Sequence, residues 1–143
     1  LPTEAEWEYA CRAGTKGAYS YGDSVDKLSE YGWWAGNDGD QPEPVGKLKP
    51  NPWGLYDMHG NLFEWCADAY VAYPDGSAFS NSGTMKVLRG GAYYCPSNIL
   101  RSACRAEAQQ TDFRWILAGF RVVLAPRLAK RLAKGDHFSP QKT

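Results

Sequence analysis

Apolar and polar positions change period several times along this chain, and each change marks an element. Trp7, Ala10 and Cys11 stand at i, i+3 and i+4, so they share one helix face. Thr3-Glu4-Ala5-Glu6 just ahead of them is a capping box. The Thr3 hydroxyl accepts from the Glu6 N–H, and the Glu6 side chain reaches back to the Thr3 N–H. Pro2 blocks extension backwards, and Gly14 is placed to end the helix. Cys11 is therefore expected inside. Period is then lost through residues 14–54, which are rich in Gly, Pro, Asp and Asn and read as loop anchored by Tyr31, Trp33 and Trp34. Pro50-Asn51-Pro52-Trp53-Gly54 excludes helix and predicts turns. Residues 61–66 predict a short strand, 74–84 another loop, and 85–89 a strand running into Gly90-Gly91. Phe120, Val122 and Leu124 alternate and predict a final strand. Between these two strands, residues 92–118 have no period. Residues 127–143 carry basic side chains at 127, 130, 131 and 134, with Leu128 and Leu132 one turn apart, which predicts a short amphipathic helix that frays.

Composition adds three things. The 143 residues suffice for one domain with a core, and no repeat or second domain is visible. The aromatic content is 14%, with 15 Gly and 9 Pro, which suits a loop-rich domain held by aromatic packing more than a helical bundle. The 16 basic residues balance 16 acidic ones, so no field favours nucleic acid or an anionic membrane. No apolar run nears the ~20 residues of a membrane span. No signal peptide or initiator Met precedes LPTEAEWEYA, which opens directly on a helix signal. This predicts a domain or fragment of a longer protein and leaves its location open.

Four cysteines stand at 11, 66, 95 and 104, none in CxxC spacing, and His59 and His137 are far apart. Zinc is therefore poorly supported. One or two disulfides and buried thiols are equally compatible with this count.

Four blocks then resemble the formylglycine-generating enzyme, or sulfatase-modifying-factor, family. They are LPTEAEWEYACRAGT, PVGKLKPNPWGLYDMHGNLFEWCAD, VLRGGAYY and AGFRVVLA, in the family's order. The resemblance covers most of residues 1–125, with 126–143 as a basic tail. It implies an α+β, C-type-lectin-like fold: a small twisted antiparallel sheet, few helices and much ordered loop. The family's N-terminal region, which supplies part of the sheet, is not in this sequence, and a missing N-terminal segment of the same protein is an expected partner.

Members that oxidise a substrate cysteine to formylglycine use two cysteines that bind Cu(I). Cys95 matches the first, but Ile99 and Leu100 stand where the second belongs, and Ala92 replaces the serine of the family's RGGS. Cu(I) is soft and takes a thiolate pair, so the resemblance argues against copper and against this oxidation, with Cys95 the catalytic candidate if an enzyme survives. The iron ligands of the related sulfoxide synthases are absent from this sequence. The family's disulfide maps onto Cys11 and Cys104, expected as a bridge or as neighbouring thiols. One family calcium site maps onto the Asp57 side chain, the carbonyls of Gly60 and Leu62, and the Glu64 carboxylate, a donor set that suits a hard cation. The competing expectation is that Asp57 and Glu64 cap turns and pair with Arg89 or Arg121.

A noncatalytic branch of the same fold, the variable proteins of diversity-generating retroelements, places its varied residues between an RGGSW-like motif and a GFR strand. Mutagenesis there scatters asparagine codons. Tyr94, Cys95, Pro96, Ser97, Asn98, Ile99 and Leu100 form an unbroken run of residues reachable in that way, and Cys104, Ala106, Ala108, Phe113, Ile116 and Leu117 extend it. With Tyr93 and Trp115, and without Pro96, they are the expected contact residues for an unidentified protein or small ligand. Their large side chains predict an exposed cluster that includes Ser97 and Leu100.

Overall fold

A computed structural model describes residues 1–37, 40–70, 85–106 and 116–124. The loop expected at 74–84, the basic tail, and Ala108, Phe113 and Trp115 lie outside the described residues.

Helix α1 (Glu4–Arg12) forms where the capping box predicts. Glu6 N–H donates to Thr3 Oγ1 at 3.2 Å and Thr3 N–H to Glu6 Oε2 at 2.8 Å. The helix stops one residue before Gly14, at Ala13, which adopts the left-handed conformation (φ 47°) and donates to Tyr9 O. Trp7 and Cys11 are buried, and Ala10 is half-buried. The long loop that follows contains one 3-10 turn, Val25–Glu30, capped by the Ser24 hydroxyl and pinned by buried Leu28.

Strands β1 (Phe63–Ala69), β2 (Lys86–Arg89) and β3 (Ala118–Gly119) form one sheet in the order β2-β1-β3. β1 and β2 are antiparallel, with Glu64 opposite Arg89 and Trp65 opposite Leu88, and a bulge follows before Ala69. β3 runs parallel to β1, so the sheet is mixed where an antiparallel one was expected. The final strand is also displaced. Among the described residues, pairing covers only 118–119, and residues 120–124 continue without a strand partner. An alternating segment can bury one face only when a neighbour pairs with it, and among the described residues none does.

The core has two parts. Trp7, Cys11, Met58, Cys66 and Val87 pack between α1 and the sheet. Leu28, Phe63, Leu88, Ala92, Cys95 and Leu100 pack on the other side with Tyr19. His59 lies against both and is fully buried. Its Nδ1 donates to Leu100 O at 2.8 Å, and its Nε2 accepts from Ser20 N–H at 3.0 Å. Those partners fix the neutral Nδ1–H tautomer. Burial pushes its pKa down to about 4, against a smaller upward pull from the Leu100 carbonyl.

Candidate functional site

The aperiodic segment begins where Gly90 and Gly91 both take positive φ (91° and 78°). A Cβ on Gly91 would stand 2.8 Å from Leu100 Cδ1, so the glycine lets the segment fold back on itself. The scaffold then holds residues 93–106 largely through their own main chain. Tyr93 N–H donates to Asn61 O (2.9 Å), and Ala35 N–H donates to Cys95 O (3.1 Å). The Tyr19 hydroxyl donates to Ser97 O (3.0 Å), and His59 to Leu100 O. Ser102 N–H reaches Ala18 O (2.8 Å), and Ala106 N–H reaches Leu88 O (3.0 Å). Arg89 donates to Ser102 O (2.7 Å) and Ala103 O (3.2 Å).

The buried side chains of Cys95 and Leu100 and the Arg105–Glu4 ion pair add to this hold, while the exposed side chains are released from it. Tyr94 and Asn98 are exposed, Tyr93, Ser97 and Ile99 are half-buried, and Tyr93 and Tyr94 meet edge-to-face at 5.4 Å. Ile116 is 86% exposed, and Leu117, Cys104 and Ala106 are half-buried. Two expected contact residues face the other way. Leu100 is completely buried, in the notch left by Gly60 and Gly91, and Cys95 is buried in the same cluster. The exposed group is thus smaller than the sequence predicts and excludes Leu100.

Asn61 was not singled out by sequence, yet it organises the loops around this surface. In the left-handed conformation (φ 65°), its N–H donates to Trp33 O and its carbonyl receives Tyr93 N–H. Its side chain clasps Glu43, accepting from N–H and donating to the carbonyl, both at 3.0 Å. Asparagine is one of the few side chains at ease in that conformation, which is the signal the sequence offered.

On another face, Asp57, Gly60, Leu62 and Glu64 line a single cavity of about 410 Å³. Asp57 Oδ2 accepts from Gly46 N–H at 2.8 Å, whereas its Oδ1 is buried without a partner. A buried carboxylate oxygen with no donor is costly unless something positive faces it. Glu64 accepts from Trp7 Nε1 (2.6 Å) and from Arg121 through two nitrogens (2.5 Å each). Among the described residues no three His, Cys, Asp or Glu side chains converge. A cation here would therefore need main-chain carbonyls beside Asp57, and those of Gly60 and Leu62 belong to residues lining the cavity.

The sulfatase-modifying factor enzyme 1-like domain profile matches residues 1–126. The chain belongs to this family. It is 34% identical over 129 residues to the mouse formylglycine-generating enzyme, covering 78% of this chain and 35% of the enzyme. Among solved structures it is similar to Treponema denticola variable protein 1 (TM-score 0.74, 36% identity, 84% of this chain and 45% of that one). It is also similar to PvdO from Pseudomonas aeruginosa (TM-score 0.70, 30% identity, 84% and 50%). The chain thus spans about a third of the mouse enzyme and about half of the solved proteins.

Within this sulfatase-modifying-factor scaffold the four cysteines are free thiols. Of the two arrangements expected for Cys11 and Cys104, a bridge or neighbouring thiols, the bridge is not formed. Ser102, two residues earlier, faces Cys11, with its Oγ 3.5 Å from the Cys11 sulfur. That sulfur also lies 3.8 Å from Met58 O and 4.0 Å from His59 Nε2. Burial pushes the Cys11 thiol up to about 11. Cys104 instead turns to the carbonyl of Arg105. Burial also raises the Cys95 thiol, the reverse of what activates a cysteine. Leu100, at the place of a second copper ligand, brings an apolar side chain in the core. These residues do not fit a Cu(I) thiolate pair.

Proposed function

We propose that this domain is a noncatalytic binding protein, with Tyr93, Tyr94, Ser97, Asn98, Ile99 and Ile116 at its contact surface for a protein or small ligand. The observation that carries the reading is the main-chain anchoring of residues 93–106. A segment fixed by its backbone keeps its shape when side chains change, which is what a surface adapted to different partners needs. Tyrosine and asparagine give contact area and adaptable hydrogen bonding at low entropic cost. The likeness to a variable protein supports this reading, and so does the run of residues reachable from asparagine codons. On that basis the segment is diversified by a retroelement, and its coding DNA has an adenine-rich near-copy beside a reverse transcriptase gene.

The competing reading is the formylglycine-generating oxidase, favoured by the similarity to enzymes of that name. The two separate on turnover. The purified chain supplied with Cu(I) is expected to leave a sulfatase-type cysteine peptide unoxidised. Formylglycine formation that disappears in Cys95→Ser would establish the oxidase instead.

Calcium belongs to the same proposal as a structural ion, held by Asp57 and the carbonyls of Gly60 and Leu62, with Glu64 joining only by giving up part of its pairing with Arg121. Bound there, it would neutralise the orphan Asp57 oxygen and fix the turn that carries His59. A ligand that binds only the native state adds about 2.7 kcal/mol when present at 100 times its Kd. Chelation should therefore lower Tm by several degrees. Asp57→Asn, which tolerates the same backbone conformation (φ 57°), should make Tm insensitive to chelator. Equal melting of the parent protein with and without chelator would remove the ion from the account.

A further inference from the structure

We infer that Trp34 is a fixed aromatic anchor of the contact surface, and that the partner it meets is an uncharged patch on a folded protein. The inference rests on the binding reading above and adds a residue from outside the aperiodic segment. Two hydrogen-bond routes set residues 33–35 against residues 93–95. Ala35 N–H donates to Cys95 O at 3.1 Å. Asn61 joins the other end: its N–H donates to Trp33 O at 3.0 Å, and its carbonyl receives Tyr93 N–H at 2.9 Å. Trp34 lies between the two tied residues of its loop, as Tyr94 does in the segment. The two therefore stand level on adjoining stretches of chain.

The loop also fixes the indole. Trp34 N–H donates to Asn37 Oδ1 at 2.8 Å, and Asn37 Nδ2 donates to Gly32 O at 2.9 Å. The indole Nε1 donates to Ser29 Oγ at 3.1 Å. A Cβ on Gly36 would stand 2.2 Å from Trp34 Cη2, so the ring closes on main chain that only glycine leaves open. Trp34 packs against the buried cluster that holds Cys95 and Leu100, yet it remains only half-buried. A tryptophan already held in one orientation loses little freedom when a partner covers it, and such residues dominate the energetic centres of interfaces. Charge selects the partner. Neither residues 31–37 nor residues 93–100 include a charged side chain, in a chain of which 22% is charged. Arg101 at the margin turns its Nε to Asn98 O at 2.9 Å. A surface of Trp, Tyr, Asn and Ser offers ring faces and neutral hydrogen bonds, and it fits a protein patch of the same character.

Selection against a probe protein tests this. Positions 93, 94, 97, 98, 99 and 116 are varied among Tyr, Ser, Asn and Ile with Trp34 kept, and binders of ubiquitin are selected. In the selected binders Trp34→Ala should weaken binding about 30-fold. Trp34→Leu keeps an apolar side chain against the core and should weaken it about tenfold, so the test stands even where the alanine variant does not fold. Raising the salt concentration about tenfold should change affinity by less than about threefold. Thermal unfolding of the same variants identifies a merely structural role, which would lower Tm and leave the affinity of the folded protein unchanged. A Trp34→Leu affinity within about twofold of the parent overturns the anchor and leaves the binding reading in place. Affinity that collapses with salt overturns the uncharged partner. A library that yields no binder overturns the binding reading itself, and this inference with it.

Discussion

Arg89→Met is expected to destabilise the fold by about 3–5 kcal/mol, enough to lower Tm by roughly 10 °C or more in a domain of this size. Arg89 is fully buried at the end of β2 and is met from several sides. It reaches Glu4 at 3.1 Å and Glu8 on α1, the carbonyls of Ser102 and Ala103, and the face of Trp7 at 5.4 Å. One guanidinium thus ties the helix, the sheet and the base of the candidate binding segment together. Methionine fills similar volume but leaves two carboxylates and two carbonyls without that donor. Lysine keeps the charge but cannot present donors to four partners in the planar fork, so Arg89→Lys should recover only part of the loss. Urea unfolding of the two variants checks this, and a loss under about 1 kcal/mol for Arg89→Met would show that the clamp carries little.

Acid should weaken the protein through His59. Its folded pKa of about 4 lies below the ordinary 6.5, so the folded state binds its proton less readily than the unfolded chain does. The associated stability is fully present above pH 6.5 and is lost as pH falls toward 4, by about 3 kcal/mol across that window. The geometry gives the same sign. A protonated Nε2 would point a hydrogen at the Ser20 N–H, which already donates to it. His59→Asn should lower stability at pH 7 and flatten the profile between pH 6.5 and 4. A parent protein equally stable at pH 6.5 and 4.5 would contradict the buried neutral imidazole.

What the sequence made legible was local. The capping box and the Trp7–Cys11 spacing set α1, and short apolar runs set β1 and β2, because neighbours along the chain determine those features. The failures depend on distant partners. Residues 120–124 alternate correctly but, among the described residues, have no strand to pair with. Leu100 and Cys95 sit in a segment without period, and the notch at Gly60 and Gly91 decides the burial of Leu100. Cys11 meets Ser102 and forms no bridge to Cys104, because register in an irregular segment cannot be counted from spacing. Arg89 and His59 carry much of the site's support, yet in sequence one was a strand end and a candidate partner for Asp57 or Glu64, and the other only a histidine too isolated for zinc. The resemblance supplied the family and the Asp57–Glu64 cavity, and local periodicity alone would have yielded neither.

The central claim is that the candidate binding segment is held by its main chain, leaving its exposed side chains free for a partner. Thermal unfolding of the triple variant Tyr94→Ser, Ser97→Asn, Asn98→Tyr tests it most directly. All three positions change chemistry and size, while each hydrogen bond to the scaffold at 93–106 uses atoms that remain. The account predicts a Tm within about 2 °C of the parent, as for substitutions on a surface without structural duty. A fall comparable to that of Arg89→Met would show that these side chains hold the fold and would contradict the claim.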